Sequence, residues 1–221
     1  MKKLNWDLYL ITEEKLSAGR STLEVVKEAV AGGVDVIQLR EKNLPLRARF
    51  SLGLEIRKIA RQAGIDFIVN DRVDLALALD ADGVHLGQDD FPVKEARKIL
   101  GEDKIIGISG YTLKEMELAE SGGADYLGVG AVFSTNSKQV DRAKDGIGTS
   151  GIRRISEKSR LPIVAIGGLN KDNCGKVIES GADTISVISA ITKAINISEE
   201  TSLFKEKIIN AKRGDYKNGI N

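Results

Sequence analysis

Short apolar runs rich in β-branched residues recur along the chain, at Leu8 to Thr12, Asp35 to Arg40, Asp66 to Asn70, Gly83 to Gly87, Lys104 to Ser109, Tyr126 to Phe133, Pro162 to Gly167 and Thr184 to Ser189. Segments of helical period separate them. Ser21 to Ala31 places Leu23, Val26 and Val30 on one face, and Leu46 to Gln62 does the same with Phe50, Leu54 and Ile59. The order is βαβα, the pattern of an α/β fold with a parallel sheet. Four phrases, AGGVDVIQL, ALDADGVHLG, SGGADYLGVG and ESGADTISVI, form a weak internal repeat in which a helix ends near Gly or Asp and a strand follows at once. Open doubly wound sheets and closed barrels both use such units. Eight near-regular strands in 221 residues favour closure, because closed barrels of this kind typically take about 250 residues. The expected fold is a (β/α)8 TIM barrel.

No Pro-rich or Ser-rich linker divides the chain, and Pro45, Pro92 and Pro162 sit where loops begin or end. One catalytic domain over residues 1–211 is expected. A final helix from Ser202 to Asn210 leads into a polar tail, 212–221, that is expected to be disordered. A hydrophobic content of 42% supplies an ordinary core, and 33 basic against 32 acidic residues leave a net charge of +1. That balance gives no strong field for nucleic acid or an anionic membrane, so the expected partners are small molecules and any affinity for anions must be local. The lone Cys174 cannot form an intramolecular disulfide, and Asn5, Trp6 and Asp7 follow the opening residues where a signal segment would be apolar. A cytoplasmic location is expected. Self-association is left open.

In a barrel, catalytic groups lie at the carboxyl ends of the strands, and polar residues collect there. The second run ends in Gln38-Leu39-Arg40-Glu41-Lys42, the third in Asn70-Asp71, and the fourth leads into Gln88-Asp89-Asp90. The fifth ends in Ser109, the sixth runs into Ser134-Thr135-Asn136-Ser137-Lys138, the seventh ends in Gly167-Gly168 and the eighth in Ile188-Ser189-Ala190. Asp71 and Asp90, from neighbouring strand ends, make a hard oxygen site suited to Mg²⁺, which takes its remaining ligands from water and phosphate. Each could instead cap the helix that follows it, and spacing alone leaves both roles open. Arg40 and Lys42 could clamp an oxyanion, or form a surface ion pair through Glu41. Gly167-Gly168 could offer backbone amides to a phosphate or make a simple tight turn. His85 reads as structural or supporting, and Cys174 has no catalytic setting.

Taken in order, Gln38 to Lys42, Asn70-Asp71, the GVHLGQDD segment ending at Asp90, Ser109, Thr135 to Lys138, Gly167-Gly168 and Ile188-Ser189 resemble the thiamine-phosphate synthases over nearly the whole chain. The resemblance implies that Gln38, Leu39, Arg40, Glu41, Lys42, Asn70, Ser109 and Lys138 hold a pyrimidine diphosphate. By the same resemblance Asp71 and Asp90 bind Mg²⁺, and Thr135, Asn136, Ser137, Gly168, Ile188 and Ser189 hold a thiazole phosphate. Arg40, Lys42 and Lys138 would neutralise the departing pyrophosphate while the thiazole nitrogen attacks the pyrimidine methylene, a reaction that needs positioning and charge stabilisation more than a strong protein base. Three positions depart from the family's habit: Ser137 stands for Thr, Ser134 for Pro, and Tyr111 for a frequent His.

The nearest rival is a thiazole tautomerase on the same barrel. It would need no metal pair and would carry a histidine where this chain has Tyr111. A sugar-phosphate isomerase or aldolase would need a placed base or Schiff-base lysine, for which Lys138 is the candidate. A thiazole-phosphate-binding barrel without turnover is the non-enzymatic alternative, and the retained carboxylates disfavour it.

Overall fold

A computed structural model describes residues 4–135 and 146–214. Its strands are β1 (Leu8–Ile11), β2 (Val36–Leu39), β3 (Asp66–Asn70), β4 (Gly83–Leu86), β5 (Ile105–Ser109), β6 (Tyr126–Val129), β7 (Ile163–Ile166) and β8 (Thr184–Val187). They pair in parallel in sequence order, and β8 returns to β1 to close the barrel. Around it lie α1 (Thr22–Ala31), α2 (Leu46–Ala63), α3 (Val73–Ala78), α4 (Val93–Leu100), α5 (Leu113–Gly122), α6 (Gly148–Ser156), α7 (Cys174–Glu179), α8 (Ser189–Thr192) and α9 (Ile197–Arg213).

The strands read as continuous apolar runs because both faces are buried. Leu8, Leu10, Ile37, Leu39, Phe67 and Val69 face the helices, while Trp6, Tyr9, Val36, Ile68, Tyr126 and Val164 fill the barrel. Glycine makes room for the largest inner side chains. A Cβ on Gly107 would stand 2.0 Å from Cζ of Tyr126, and one on Gly128 would stand 2.7 Å from Cε1 of His85. Trp6, Tyr9 and Tyr126 then pack edge to face at centroid separations of 5.4 to 6.2 Å.

Several element boundaries differ from expectation. The sixth strand stops at Val129 instead of Phe133. There the chain turns so closely against β7 that a Cβ on Gly130 would lie 2.2 Å from the Ile166 carbonyl oxygen. On α1 the fully buried stripe is Thr22, Val25, Val26 and Ala29, with Leu23 and Val30 at its margins. On α2, Leu54 is exposed and the buried stripe is Gly53, Ile56 and Ala60. A glycine stands at 53 because the helix packs closely there: a Cβ would meet Leu79, at the end of α3, at 2.4 Å and Leu39 of β2 at 3.2 Å. The last helix begins at Ile197 and ends at Arg213, longer at both ends than Ser202 to Asn210. Lys212, expected in the tail, is therefore helical, and its ammonium reaches Asp7 at 2.7 Å.

The aspartate of each repeated phrase has a structural meaning at the amino-terminal rim. Asp35, Asp82, Asp125 and Asp183 each precede or open an even-numbered strand. Their carboxylates accept the N–H of Leu8, Phe67, Ile106 and Ile163, at 2.9, 2.8, 2.8 and 2.7 Å, near the start of the preceding strand. Three of the four also hold a basic side chain: Lys205 on Asp35 at 2.7 Å, Arg57 on Asp82 at 2.7 Å and Arg97 on Asp125 at 2.6 Å. No described helix is long and apolar enough to cross a membrane.

Candidate active site

The carboxyl ends of the strands surround two adjoining chambers. The inner one, about 40 Å³, lies within the barrel mouth and is lined by Tyr9, Gln38, Arg40, Asn70, His85 and Tyr126 among others. The outer one, about 170 Å³, extends toward Gln88, Tyr111, Thr135, Gly168 and Ser189. Ser109, Gly128, Ile166, Ser186 and Ile188 border both. A hydrogen-bonded chain crosses the inner chamber. Gln38 Nε2 donates to the Tyr9 hydroxyl at 2.7 Å, Tyr9 and Tyr126 hydroxyls meet at 3.0 Å, Tyr126 reaches His85 Nδ1 at 2.9 Å, and His85 Nε2 reaches Ser109 Oγ at 2.9 Å. Burial holds both phenols above their ordinary value of 10, so they stay protonated. His85, expected to be structural or supporting, is the link between the aromatic core and the pocket wall.

At the ends of β3 and β4, Asp71 and Asp90 interact directly. Asp71 adopts a left-handed backbone, φ 63°, unusual for a residue with a Cβ though tolerated best by Asp and Asn. Its N–H donates to the His85 carbonyl at 2.8 Å, which locks the turn against β4. Neither carboxylate caps a helix: α3 and α4 begin after Arg72 and Pro92 without a side-chain cap, and Asp90 accepts from Gly87 N–H at 2.6 Å. Burial works to raise the Asp71 carboxyl, but hydrogen bonds from Lys42 and Asp90 outweigh it and hold it below the ordinary value. Burial and then the adjoining Asp71 push Asp90 up. Two touching carboxylates repel when both are ionised, so Asp90 takes up a proton more readily than Asp71, whose oxygen lies 2.7 Å from the Lys42 ammonium. Such a donor set fits a hard divalent cation, which would take the proton's place. Among the described residues no cluster of three or more acidic, His or Cys side chains is arranged for a metal, so a cation here would draw its other ligands from phosphate and water.

On the outer chamber, Gly167 and Gly168 have φ of 102° and 65°. A side chain on Gly168 would collide with Phe133, its Cβ lying 2.7 Å from that of Phe133. This glycine turn and the start of α8 at Ser189 face the same space, as in the phosphate sites common after the seventh and eighth strands of barrels.

The structure brings Gln38, Arg40, Asn70 and Ser109 to the inner chamber, Lys42 to Asp71 and Asp90, and Thr135, Gly168, Ile188 and Ser189 to the outer one. It does not bring Leu39 or Glu41 to either. Leu39 packs under α2, and Glu41 is buried against the Glu14 N–H at 3.0 Å and Thr22 Oγ1 at 2.8 Å. Arg40 pairs with Glu13, not with Glu41. Asn136, Ser137 and Lys138 lie outside the described residues. Tyr9, Tyr126 and Glu13 were not singled out from the sequence. Tyrosine within an apolar run reads as core, and the partners that reveal its role are up to 117 residues away.

Comparison with known proteins gives one answer. Residues 8–191 match the profile of the family described as thiamine monophosphate synthase. A thiamine-phosphate synthase of Moorella thermoacetica is 50% identical over 207 residues, 94% of this chain and 98% of that protein. One from Haloarcula marismortui is 51% identical over 192 residues, 86% of this chain and 91% of that protein. Among solved structures, the thiamine phosphate pyrophosphorylase of Pyrococcus furiosus superposes with a TM-score of 0.85 at 41% identity, covering 94% of this chain and 97% of that one. A 3-hexulose-6-phosphate synthase, at 17% identity and a TM-score of 0.70, covers 91% of this chain and 99% of its own and shares the fold alone. The chain thus belongs to the thiamine monophosphate synthase family.

Proposed function

We propose that this protein is a transferase that joins 4-amino-2-methyl-5-(diphosphooxymethyl)pyrimidine to 4-methyl-5-(2-phosphooxyethyl)thiazole, or its carboxylate, with release of pyrophosphate and dependence on Mg²⁺. The observation that carries this reading is the pair of adjoining chambers that share Ser109 and Ile188: one is lined by Arg40 and Asn70, the latter the chain neighbour of the Asp71 that Lys42 holds, and the other by the glycine turn at 167–168. The inner chamber offers an aromatic floor and convergent polar groups, Gln38, Asn70 and Ser109, to a flat nitrogen heterocycle. Arg40 lines the same chamber and Lys42 follows two residues on, so the diphosphate of that heterocycle would emerge toward them.

Mg²⁺ held by Asp71 and Asp90 would supply charge neutralisation for the phosphates. The chain's own residues do the remainder. Arg40, Lys42 and Lys138 draw off the negative charge that grows on the leaving group. The shared border at Ser109 and Ile188 sets the two heterocycles edge to edge, so that the thiazole nitrogen meets the methylene as its bond to oxygen breaks. Among the described residues that line the chambers, His85 is the only histidine, and its ring nitrogens are engaged with Tyr126 and Ser109. That engagement suits a scaffold for positioning more than a proton-transfer catalyst.

The test is pyrophosphate release from purified protein supplied with both substrates, with Mg²⁺ or with a chelator. Release that requires both substrates and the metal, with thiamine phosphate accumulating in step, is expected. Thiazole phosphate binding without release would move the reading to a tautomerase or a binding protein.

A further inference from the structure

The turn after β1 contributes nothing to the family-like set of site residues, yet it is tied to the end of β2 at several points. Thr12 N–H donates to the Gln38 carbonyl at 2.9 Å, and Thr12 Oγ1 accepts from Arg40 N–H at 3.1 Å. Glu41 Oε2 accepts from Glu14 N–H at 3.0 Å. Between these ties stands Glu13, whose carbonyl is fixed by Leu16 N–H at 2.8 Å and Ser17 Oγ at 3.1 Å. Its carboxylate receives Arg40 Nη1 at 2.6 Å, and the two side chains are 10% and 12% exposed. Its second oxygen lies 3.5 Å from Asn43 Nδ2.

A guanidinium carries five N–H groups in a rigid plane. Engaging one of them with a carboxylate on a fixed turn sets the direction of the rest. Arg40 also lines the inner chamber beside Gln38 and Asn70, so its plane is held between Glu13 on one side and the chamber on the other. We propose that Glu13 is a positioning residue, which orients Arg40 so that its remaining N–H groups face the diphosphate. This inference rests on the function proposed above.

Opposite outcomes separate orientation from charge. If Glu13 only opposed an incoming anion, its removal would tighten binding. If it orients Arg40, removal loosens binding, and glutamine, which still accepts from Nη1, restores most of it. The experiment measures calorimetric affinity for inorganic pyrophosphate with Mg²⁺, the KM of each substrate and the thermal midpoint. The variants are Glu13→Ala, Glu13→Gln, Arg40→Ala and the Glu13→Ala/Arg40→Ala pair.

Glu13→Ala is expected to weaken pyrophosphate binding and raise the KM for the pyrimidine diphosphate by about tenfold, the scale of one charged hydrogen bond, with the KM for the thiazole phosphate unchanged. Glu13→Gln should recover most of that loss, and the double variant should bind no worse than Arg40→Ala alone. Three results would overturn the proposal: unchanged or tighter binding by Glu13→Ala, both KM values rising together with a lowered midpoint, or additive losses in the double variant. If the native protein fails to bind pyrophosphate with Mg²⁺, the proposed function falls and this inference with it. If the native protein binds and Glu13→Ala binds equally, the inference alone falls.

Discussion

The two ends of the barrel use the same residue in opposite ways. At the amino-terminal rim, Asp35, Asp82 and Asp125 each accept a backbone N–H and a basic side chain. At the carboxyl rim, Asp71 and Asp90 lean on one another and on a half-exposed Lys42. Parallel strands explain the contrast. All eight begin at one rim, where free N–H groups can serve a carboxylate, and end at the other, where carbonyl oxygens cannot. An aspartate at the carboxyl rim has no strand-start N–H to accept: Asp90 takes one N–H from its own loop, at Gly87, and Asp71 takes the Lys42 ammonium. What is a staple at one end is, on the function proposed, a cation site at the other.

The strongest challenge to this contrast comes from removing a staple. Asp125→Ala would leave Arg97, whose side chain is 12% exposed, without its carboxylate, and Ile106 N–H without an acceptor. A loss of about 3–5 kcal/mol in denaturant unfolding is expected, with turnover by the folded protein intact. Asp90→Ala should do the reverse. Turnover should fall by at least about a hundredfold, the scale of removing one group that stabilises developing charge, while the unfolding midpoint holds or rises. If Asp125→Ala lost activity without stability, or Asp90→Ala the opposite, the two rims would not differ as described.

A pH series sharpens the comparison. Burial works to raise Asp7, but Lys212 and Lys205 hold it below its ordinary 3.8. Its contribution is therefore present above that value and lost as pH falls through the depressed one. Asp90 is shifted the other way, so its contribution is present below 3.8 and lost as pH rises through its raised value. Without metal, Asp90→Asn should be more stable than the native protein near neutrality, and the gap should close on acidification. A gap independent of pH would contradict the upward shift of Asp90. The smallest effect is expected midway up the barrel. Ser186 Oγ is buried with no hydrogen-bond partner among the described residues, at the border of the two chambers, and Ser186→Ala should stabilise the protein by about 1 kcal/mol in the same unfolding measurement.

Much of this division was legible in the sequence. Strands buried on both faces announce themselves as apolar runs, and the aspartate of each repeated phrase marked where four of them start. Where strands stop was less legible. The sixth apolar run continues to Phe133, and only the pressure of Ile166 on Gly130 shows why the ladder ends four residues earlier. The carboxyl-rim residues could be listed because polar side chains at strand ends stand out against apolar neighbours. The supports beneath them could not. Glu13 reads as one more charged residue in a turn, and His85 as a polar interruption in a strand, until closure brings their partners from 24 to 41 positions away.

The chain from Gln38 to Ser109 also has a direction. With Gln38 donating to Tyr9, the Tyr9 proton is free to pass to Tyr126 and that of Tyr126 to His85 Nδ1, leaving the imidazole proton on Nε2, aimed at Ser109. Ser109 then receives, and its own proton turns toward the space between the chambers. In that direction the barrel floor sets the tautomer of its histidine through residues that lie on three other strands.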